Sequence, residues 1–452
     1  MTAAAPLVPL VARAPDDVLF RRGGESLTAR RFVRDATALA ASLPDRRHLL
    51  NLCQDRYHFT VTLAAAALRG KTCLLSSDRS PEQLHRLAAR FATVASVSEV
   101  TDCAGIADHH HITLPNGEPP AGAASGDVAA PGIPADFLAA IVFTSGSTGE
   151  PVGNAKHWGT LAARSADFAE RFGLSPAAPG SIVGTVPPQH MYGFETTALL
   201  PLHAAAASWS SPTTFPADIR DALAATAPPR LLVTTPLQLR ALVESGVALP
   251  PLAAIISATA PMDPVLAAAA EARFAAPVLE IFGATEVGSI ASRRTTDGDV
   301  WTTYDTVRLT QPDSGGTLVT APPAAPVLLT DRLDLLGPTR FRLLGRPDDM
   351  VKLAGRRASL AGLNRILARI DGVADGVFLV PDDLDRRPAA RLLVFAVAPG
   401  RSPEAILAAL RREIDPVFLP RRIVLVDRLP RNPLGKLTRA AMAGLLAGLP
   451  ED

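Results

Sequence analysis

The sequence predicts an α/β protein, with a large N-terminal domain of mostly parallel sheets covered by helices and a small mobile α+β C-terminal domain. Up to Gly345, apolar runs of strand length alternate with helical stretches. Such alternation implies parallel sheets, because each crossover connection lays a helix on the sheet. After Gly345 the sequence becomes polar and rich in glycine before a second, shorter pattern begins. With 452 residues, the chain is also longer than a single hydrophobic core normally supports.

The first repeated unit begins at His48. HLLNL is predicted to form a short buried strand, RYHFTVTLAAAALRG a helix that ends at Gly70, and TCLLS the next strand. Ser80 followed by Pro81 is a good N-cap and first-turn pair for another helix. Segment 116–137, rich in Pro, Gly and Ala, is predicted to be an exposed connector. Further strand-length apolar runs lie at 137–143, 181–186, 230–235, 252–257 and 277–282.

The C-terminal part has an α+β pattern of its own. GVFLV, RLLVFAV and RIVLV are apolar runs of strand type, and a helix is predicted to begin at Pro403. We therefore predict an N-terminal domain over residues 1–345, a hinge at 346–349 and a C-terminal domain over 350–452.

The composition argues against several classes of protein. Forty-five basic side chains stand against 44 acidic ones, whereas nucleic-acid-binding proteins normally carry a basic excess, so we expect no nucleic-acid partner. Three cysteines without CxxC spacing indicate neither a disulfide scaffold nor a zinc site and fit a reducing cytoplasm. The apolar stretches fall short of the ~18 residues that a membrane span needs, so a cytoplasmic protein without such a span is expected.

The segment FTSGSTGEP, residues 143–151, follows a predicted buried strand and combines Ser, Thr and Gly. Such a loop offers backbone N–H groups and hydroxyls to phosphate oxygens, although a turn of this composition is more often only a turn. The loop lacks the Walker pattern GxxxxGK[ST]. A GxSxG nucleophile elbow is missing as well, which argues against a serine hydrolase.

With its other motifs, the chain resembles the adenylate-forming family, which includes acyl-CoA synthetases, aryl-CoA ligases and the adenylation domains of peptide synthetases. TSGSTGEP resembles the phosphate loop, and PPQHMYGFE (187–195) resembles the segment that borders the acid pocket. SATAPM (257–262) and IFGATEVG (281–288) are similar to the adenine and magnesium motifs. LTDRLDLL, GRPDDMVKLAGRR and LPRNPLGKLTR (429–439) resemble the ribose, hinge and catalytic-lysine motifs. All of them occur in the family's order.

The resemblance implies that the chain binds ATP and Mg²⁺. Thr285 would reach the α-phosphate, while Glu286 and Thr144 would hold Mg²⁺, a hard ion that prefers oxygen ligands. Phe282 would stack on adenine, unless it belongs to the hydrophobic core. The nucleotide-binding residues implied by the resemblance are Thr144, Ser145, Gly146, Ser147, Thr148, Gly149, Phe282, Gly283, Ala284, Asp331, Arg346 and Arg357.

The ribose motif leaves two candidates open, because the family usually has Gly before its aspartate and Thr330 stands here before Asp331. Asp334 is the reserve candidate, and either carboxylate could accept hydrogen bonds from the ribose hydroxyls, with Arg346 as an added donor. Asp348 matches the hinge position about which the small domain is expected to rotate between the two half-reactions.

The resemblance assigns the central catalytic role to Lys436 in PLGKLTR. Formation of an acyl-adenylate brings a carboxylate to the α-phosphate of ATP, and a compact ammonium can sit between these two anions. Only four of the 45 basic residues are lysines, so a lysine here is conspicuous. Thr285, Glu286 and His190 complete the predicted catalytic set. His190 would lie where the carboxylate enters, or it is a structural histidine.

The chain departs from the family pattern in the phosphate loop, where Val152 replaces the usual lysine. Lys156 is a candidate replacement, unless the segment simply opens the next helix at His157 and Trp158. In the acid pocket, Glu195 would read a polar group of the substrate or cap a helix end. Small residues at Ala258 and Ala260 would leave room for a ring or an acyl chain.

GEPVGNAKHWGT and PPQHMYGFET resemble the short AMP-ligases of aryl polyene and xanthomonadin-type pathways, which are thought to load an aromatic acid onto an acyl carrier protein. We therefore predict ATP-dependent activation of a carboxylic acid to acyl-AMP, followed by transfer to a phosphopantetheine thiol. One alternative is an acyl- or aryl-CoA synthetase that uses free CoA. Another is a nucleotide-binding module without ligase activity.

Overall fold

The structure is a computed structural model. It describes residues 5–91, 93–101, 106, 108–114, 130–145, 151–313, 315–345, 350–353, 356–380, 392–432, 435, 437 and 439–448.

The described elements alternate between strands and helices over most of the chain. Up to residue 345 they are, in chain order, β1 (Leu7–Pro9), β2 (Val18–Arg22), β3 (Glu25–Thr28), α1 (Ala29–Ser42), β4 (His48–Asn51), α2 (Arg56–Leu68), β5 (Thr72–Ser76), α3 (Pro81–Arg90), β6 (Val94–Ser98), β7 (His109–His111), β8 (Gly132–Pro134), β9 (Leu138–Ser145), β10 (Pro151–His157), α4 (Trp158–Arg171), β11 (Gly180–Gly184), α5 (Met191–Gly193), a π-helical segment (Phe194–Leu199), α6 (Leu200–His203), β12 (Ala206–Trp209), α7 (Pro216–Ala224), β13 (Arg230–Thr234), α8 (Pro236–Glu244), β14 (Ala254–Ser257), α9 (Pro264–Phe274), β15 (Val278–Ala284), β16 (Gly288–Arg294), a 3₁₀ turn (Thr295–Asp297), β17 (Val300–Thr303), β18 (Arg308–Thr310), β19 (Thr317–Thr320), β20 (Val327–Leu329), β21 (Arg332–Leu335) and β22 (Arg340–Gly345). Beyond it follow β23 (Met350–Leu353), β24 (Arg356–Ser359), α10 (Leu360–Arg369), β25 (Asp375–Leu379), β26 (Leu393–Val397), α11 (Pro403–Glu413), a 3₁₀ turn (Pro416–Phe418), β27 (Arg422–Leu425) and α12 (Arg439–Ala447).

An eleven-stranded sheet dominates the N-terminal part, with the order β21-β22-β17-β16-β15-β14-β13-β11-β12-β2-β3. Its centre, from β15 to β2, is parallel. Helices α7, α8 and α9 each follow a parallel strand, as the crossover rule requires. The predicted α/β fold is confirmed, but the sheet continues on one side into four antiparallel strands, β16, β17, β22 and β21, that the sequence analysis did not identify.

A second sheet of six strands has the order β10-β9-β5-β4-β6-β7 and is parallel except for the β9–β10 hairpin. Helix α2 packs on this sheet with one side and on α1 and the π-helical segment with the other. It is capped by Asp55, whose side chain accepts a hydrogen bond from the His58 backbone N–H. Nearly all of its residues are buried, because a helix that is apolar on every side needs cover on every side.

The phosphate-loop segment connects two strands rather than a strand and a helix. Ser145 at the end of β9 pairs with Pro151 at the start of β10, and the loop between them, 146–150, lies outside the described residues. The helix opens later, at Trp158 with His157 as its N-cap. Lys156 therefore lies on β10, one strand residue before that cap.

The C-terminal part contains a three-stranded sheet, β25-β26-β27, and its own apolar cluster. The runs GVFLV, RLLVFAV and RIVLV form these three strands, and α11 begins at Pro403 behind the N-cap Ser402. A large N-terminal part and a smaller C-terminal part agree with the predicted architecture. The boundaries at 345 and 350 stay predictions, since the proposed hinge 346–349 lies outside the described residues.

In the part of the chain that the structure describes, no helix combines the length and the apolar character that crossing a membrane requires.

Candidate active site

Three of the predicted motifs meet at one edge of the eleven-stranded sheet. Strands β11, β13, β14 and β15 are neighbouring parallel strands, so their carboxyl ends lie side by side. Segment 187–195 follows β11, segment 257–262 begins at the end of β14, and the Thr285–Glu286 turn follows β15. In open α/β sheets this is where ligands bind. The fold thus brings together motifs that lie far apart in the sequence.

The Thr285–Glu286 turn joins β15 to β16 in a tight hairpin. Gly283 pairs with Ser289, and a Cβ on Gly283 would overlap the carbonyl oxygen of Gly288, so only glycine allows this close approach. Thr285 is half-buried and Glu286 is exposed. The predicted phosphate and magnesium ligands therefore lie at an accessible tip on a rigid base.

Lys156 reaches this turn from the second sheet. Its Nζ donates hydrogen bonds to the backbone carbonyl oxygens of Thr285 and Glu286, the latter at 3.2 Å. The side chain is 5% exposed. Burial lowers the pKa of Lys156, while the negative charges of Glu195 and Glu286 counteract this effect. Among the described residues, the hydrogen-bond acceptors of Lys156 Nζ therefore lie in this turn.

Glu195 lies in the π-helical segment and holds the other side of the same hairpin. Its carboxylate accepts hydrogen bonds from the Ser289 N–H at 3.0 Å and from the Ser289 hydroxyl at 2.6 Å. Burial is the largest influence on its pKa, which is raised. The prediction that Glu195 reads a substrate group or caps a helix end is not supported, because its carboxylate is turned toward β16.

His190 begins the short helix α5. Its Nδ1 accepts a hydrogen bond from the Tyr192 N–H at 3.3 Å, and the Tyr192 hydroxyl donates to the Ile256 carbonyl on β14 at 2.8 Å. Gln189 donates from Nε2 to the carbonyl of Cys53, beyond the end of β4. These contacts give His190 a structural role as a helix cap, one of the two predicted alternatives, and its catalytic role stays a prediction.

Arg56, in the first turn of α2, was missed by the sequence analysis. The side chain is fully buried and donates to the carbonyl oxygens of Gly184, of Val186 at 3.0 Å and of Ser211 at 2.9 Å. Burial lowers its pKa to about 10. Arg56 thus fixes the backbone that leads from β11 into the acid-pocket segment. Nothing in the local sequence indicates this, because the partners are more than a hundred residues away.

The SATAPM segment contains a strained residue. Thr259 has φ 81°, in the left-handed region that non-glycine residues rarely adopt, and its buried hydroxyl has no hydrogen-bond partner among the described residues. The expectation that Ala258 and Ala260 leave room for substrate is only partly supported. Ala258 is buried in a core cluster with Tyr192, whereas Ala260 is half-buried.

Phe282 belongs to an aromatic cluster in the core. Its ring lies 5.7 Å from that of Trp301 and 5.4 Å from that of Phe341, and the residue is 8% exposed. The structure thus supports the core role that the sequence left as the alternative to adenine stacking. Gly283 and Ala284, which follow it, are exposed and half-buried at the sheet edge.

Asp331 and Asp334 differ clearly in their surroundings. Asp331 is 9% exposed and precedes Arg332, the first residue of β21. Arg332 pairs with Gly345, the last described residue before the predicted hinge, so Asp331 lies close to that point. Asp334 is exposed and forms an ion pair with Arg342 at 3.5 Å. Its carboxylate is therefore engaged at the surface. The choice between Asp331 and Asp334 as the ribose ligand stays a prediction.

Several predicted residues cannot be located in detail. Of Ser145 and Arg357 the structure describes only the backbone, in β9 and β24. Thr144 donates a long hydrogen bond of 3.5 Å to the Val152 carbonyl across the hairpin. The predicted residues outside the described part are Gly146, Ser147, Thr148, Gly149, Arg346, Asp348 and Lys436.

Gly435, which precedes Lys436 in the sequence, lies near helix α8. A Cβ on Gly435 would lie 3.2 Å from the side chain of Leu237, in the first turn of α8. Helix α8 starts directly after β13, so Gly435 lies at the same sheet edge as the Thr285–Glu286 turn.

Comparison with known proteins agrees with these observations. The AMP-binding enzyme family matches residues 10–319. A 4-coumarate–CoA ligase of Rhodobacter capsulatus is 32% identical over 276 residues, which cover 61% of this chain and 67% of that protein. The predicted AMP-forming acid–thiol ligase is thereby confirmed.

Solved structures show the same fold. ATP-bound MatB from Rhodopseudomonas palustris has a TM-score of 0.80 at 19% identity and covers 97% of this chain and 98% of its own. The O-succinylbenzoate–CoA synthetase MenE from Bacillus subtilis, in complex with AMP, has a TM-score of 0.79 at 15% identity, with coverage of 96% and 98%. Because the family matches residues 10–319 and the 4-coumarate–CoA ligase is 32% identical, the chain belongs to the AMP-binding enzyme family.

Proposed function

We propose that this protein activates an aromatic carboxylic acid with MgATP and transfers the acyl group to the phosphopantetheine thiol of an acyl carrier protein. In the first step a carboxylate oxygen attacks the α-phosphorus of ATP, the bond from that phosphorus to pyrophosphate breaks, and pyrophosphate leaves. In the second step the thiolate sulfur attacks the carbonyl carbon, and the bond to AMP breaks. Both steps require positioning of the reactants and stabilisation of developing charge.

The observation that carries this proposal is the position of the Thr285–Glu286 turn at the carboxyl edge of the parallel strands, held from below by Lys156. Thr285 would bind the α-phosphate from this tip. The SATAPM and PPQHMYGFE segments adjoin it along the sheet edge, so an acid bound against them would face the same phosphate.

Glu286 fits a magnesium ion that arrives with ATP. Among the described residues, no group of three or more His, Cys, Asp or Glu side chains is arranged to hold a metal ion. Mg²⁺ usually binds through one or two carboxylates together with substrate phosphates rather than in an all-protein cage. The single exposed carboxylate of Glu286 has this character, and Thr144 stays a second candidate ligand.

Lys436 would supply the positive charge between the carboxylate and the α-phosphate. The position of Gly435 near Leu237 in the first turn of α8 is in keeping with this assignment, while Lys436 itself lies outside the described residues. Asp331 would hold the ribose.

The cytoplasmic location likewise stays a prediction.

An aromatic acid is supported by the relative that is named a 4-coumarate–CoA ligase. That name also supports the second candidate, an aryl-CoA synthetase with free CoA as the acceptor. The carrier protein rests on the two strings that resemble the aryl polyene-type ligases.

The test has two stages. Acid-dependent exchange of pyrophosphate into ATP, measured over a panel of aryl and fatty acids, reports the first half-reaction. We expect exchange with aryl acids, and AMP binding without exchange for any acid would indicate a non-catalytic module. Thioester formation is then compared between holo carrier protein and free CoA, and efficient turnover with CoA alone would replace the carrier-protein proposal with the CoA ligase.

A further inference from the structure

We propose that Lys156 is a positioning residue for adenylation, which holds the Thr285–Glu286 turn in place and so sets the position of the magnesium-binding carboxylate. This inference rests on the proposed role of Glu286 toward MgATP. It assigns to Lys156 an indirect role, in contrast to a direct contact with the departing phosphates.

The first argument is geometric. Lys156 lies on β10, where it pairs with Ala140 of β9, so it belongs to the hairpin that carries the phosphate loop. Its Nζ binds two consecutive carbonyls in the turn between β15 and β16, which are neighbouring strands of the eleven-stranded sheet. One side chain therefore links the phosphate-loop hairpin of the six-stranded sheet to the Thr285–Glu286 turn of the eleven-stranded sheet.

The second argument is electrostatic. An ammonium that is 5% exposed is costly to bury unless hydrogen bonds and opposite charges compensate for lost water. Lys156 has two carbonyl acceptors and the attraction of Glu195 and Glu286. Glu195 in turn holds Ser289, three residues beyond the turn. The hairpin is thus held on one side by a buried cation and on the other by a buried anion.

The third argument is the choice of lysine in a chain that uses arginine almost everywhere. The structure describes two lysine side chains, Lys71 and Lys156, and both are 5% exposed with Nζ bound to backbone carbonyls. A compact ammonium fits between converging carbonyls, whereas a guanidinium needs a wider planar site. Val152, where the family has its phosphate lysine, is 52% exposed.

The expected consequence of removing the ammonium is a displaced turn. The carbonyl oxygens of Thr285 and Glu286 lose their donor, and the Glu195 carboxylate loses an opposing charge. A displacement of the order of 1 Å at a reacting group can lower the rate about 100-fold. The effect should fall on MgATP and on the rate of exchange, but hardly on the acid, which binds against other segments.

The test compares Lys156→Met and Lys156→Gln with Lys71→Met. Lys71 is a matched control, because its Nζ donates to the Arg46 carbonyl at 2.8 Å and lies near Asp45, away from the turn. Thermal unfolding measures stability for all three variants. Pyrophosphate exchange gives kcat and the KM values for MgATP and for the acid. Calorimetry gives the affinity for ATP with and without Mg²⁺, and needs no acid substrate.

For Lys156→Met we expect kcat to fall about 100-fold and the gain in ATP affinity on adding Mg²⁺ to shrink, with the acid KM unchanged. Lys156→Gln, which keeps a hydrogen-bond donor, should lose less. Lys71→Met should lose stability without these changes. The inference is overturned if Lys156→Met keeps the wild-type gain from Mg²⁺, or if Lys71→Met lowers kcat equally. The calorimetric measurement tests the role of Lys156 without an acid substrate. Absence of exchange in the wild type would therefore refute only the proposed ligase reaction.

Discussion

Gly288 offers the sharpest test of how the hairpin is built. It has φ 83°, and a Cβ at this position would overlap Oε1 of Glu195. Gly288→Ala therefore introduces two costs, a left-handed backbone for a non-glycine residue and the displacement of a buried carboxylate. The carboxylate would be pushed off the Ser289 N–H and hydroxyl, which it binds at 3.0 and 2.6 Å.

The two costs can be estimated separately. The left-handed conformation costs about 1–2 kcal/mol for a residue with a Cβ, reduced by up to about 1 kcal/mol because alanine also restricts the unfolded chain. Loss of hydrogen bonds to a buried charged group adds about 2 kcal/mol. We therefore expect Gly288→Ala to lower the free energy of unfolding by about 3 kcal/mol.

Gly246 supplies the control for backbone strain alone. It has φ 76°, and a Cβ there would meet no atom within 4 Å. Gly246→Ala should therefore cost only about 1 kcal/mol. Chemical denaturation of both variants measures these values, and pyrophosphate exchange should fall for Gly288→Ala alone because the shifted strand carries the Thr285–Glu286 turn.

A double-mutant cycle with Glu195→Ala identifies the cause. Truncating Glu195 makes room for the new Cβ, so adding Gly288→Ala in this background should cost no more than Gly246→Ala does. An equal cost of Gly288→Ala in the presence and absence of the Glu195 carboxylate would refute the clash as the source of the destabilisation.

Three further predictions concern other groups. Burial against Trp158 lowers the pKa of His203 to about 4, below its value in the unfolded chain. The contribution of the neutral imidazole to the free energy of unfolding should therefore be fully present above about pH 6.5 and be lost as the pH falls toward 4, by up to about 3 kcal/mol. His203→Gln should flatten this decline in denaturation curves at pH 7 and pH 5. Burial raises the pKa of the Cys53 and Cys73 thiols, that of Cys73 to about 12. Neither thiol should therefore react with a thiol reagent until the protein unfolds. Rapid labelling of the native protein at either position, located by peptide mass analysis, would contradict this. Lys436→Ala should lower acid-dependent exchange by orders of magnitude with nearly unchanged thermal unfolding, and activity within a few-fold of wild type would remove Lys436 from the mechanism.

Local patterns in the sequence were enough for much of the fold. The five strand-length runs between residues 137 and 282 all contain observed strands, β9, β11, β13, β14 and β15. Helix α2 runs from Arg56 to Leu68, close to its predicted extent, and α3 begins at Pro81. These features depend on apolar periodicity and on caps, which neighbouring residues determine.

The strands from β17 to β22 were missed for a physical reason. Buried residues alternate with exposed or half-buried ones along most of them, as in β22, where the buried Phe341 lies between the exposed Arg340 and Arg342. Antiparallel strands with one face in solvent give a weaker apolar signal than buried parallel strands. Pairing of β17 with β16, of β22 with β17 and of β21 with β22 makes these three strands part of the large sheet, whereas β18, β19 and β20 form a separate three-stranded sheet.

The family and the order of its motifs could be predicted from the sequence alone, because these are properties of short strings and of their succession along the chain. The contacts of the individual side chains became visible only in the folded structure. Lys156 binds carbonyls 129 and 130 residues away, and Glu195 binds Ser289. Phe282 is buried among aromatic rings, and Asp334 pairs with Arg342 at the surface whereas Asp331 is buried. A string specifies which groups are available, but hydrogen bonds and burial depend on groups that folding brings close from distant parts of the chain.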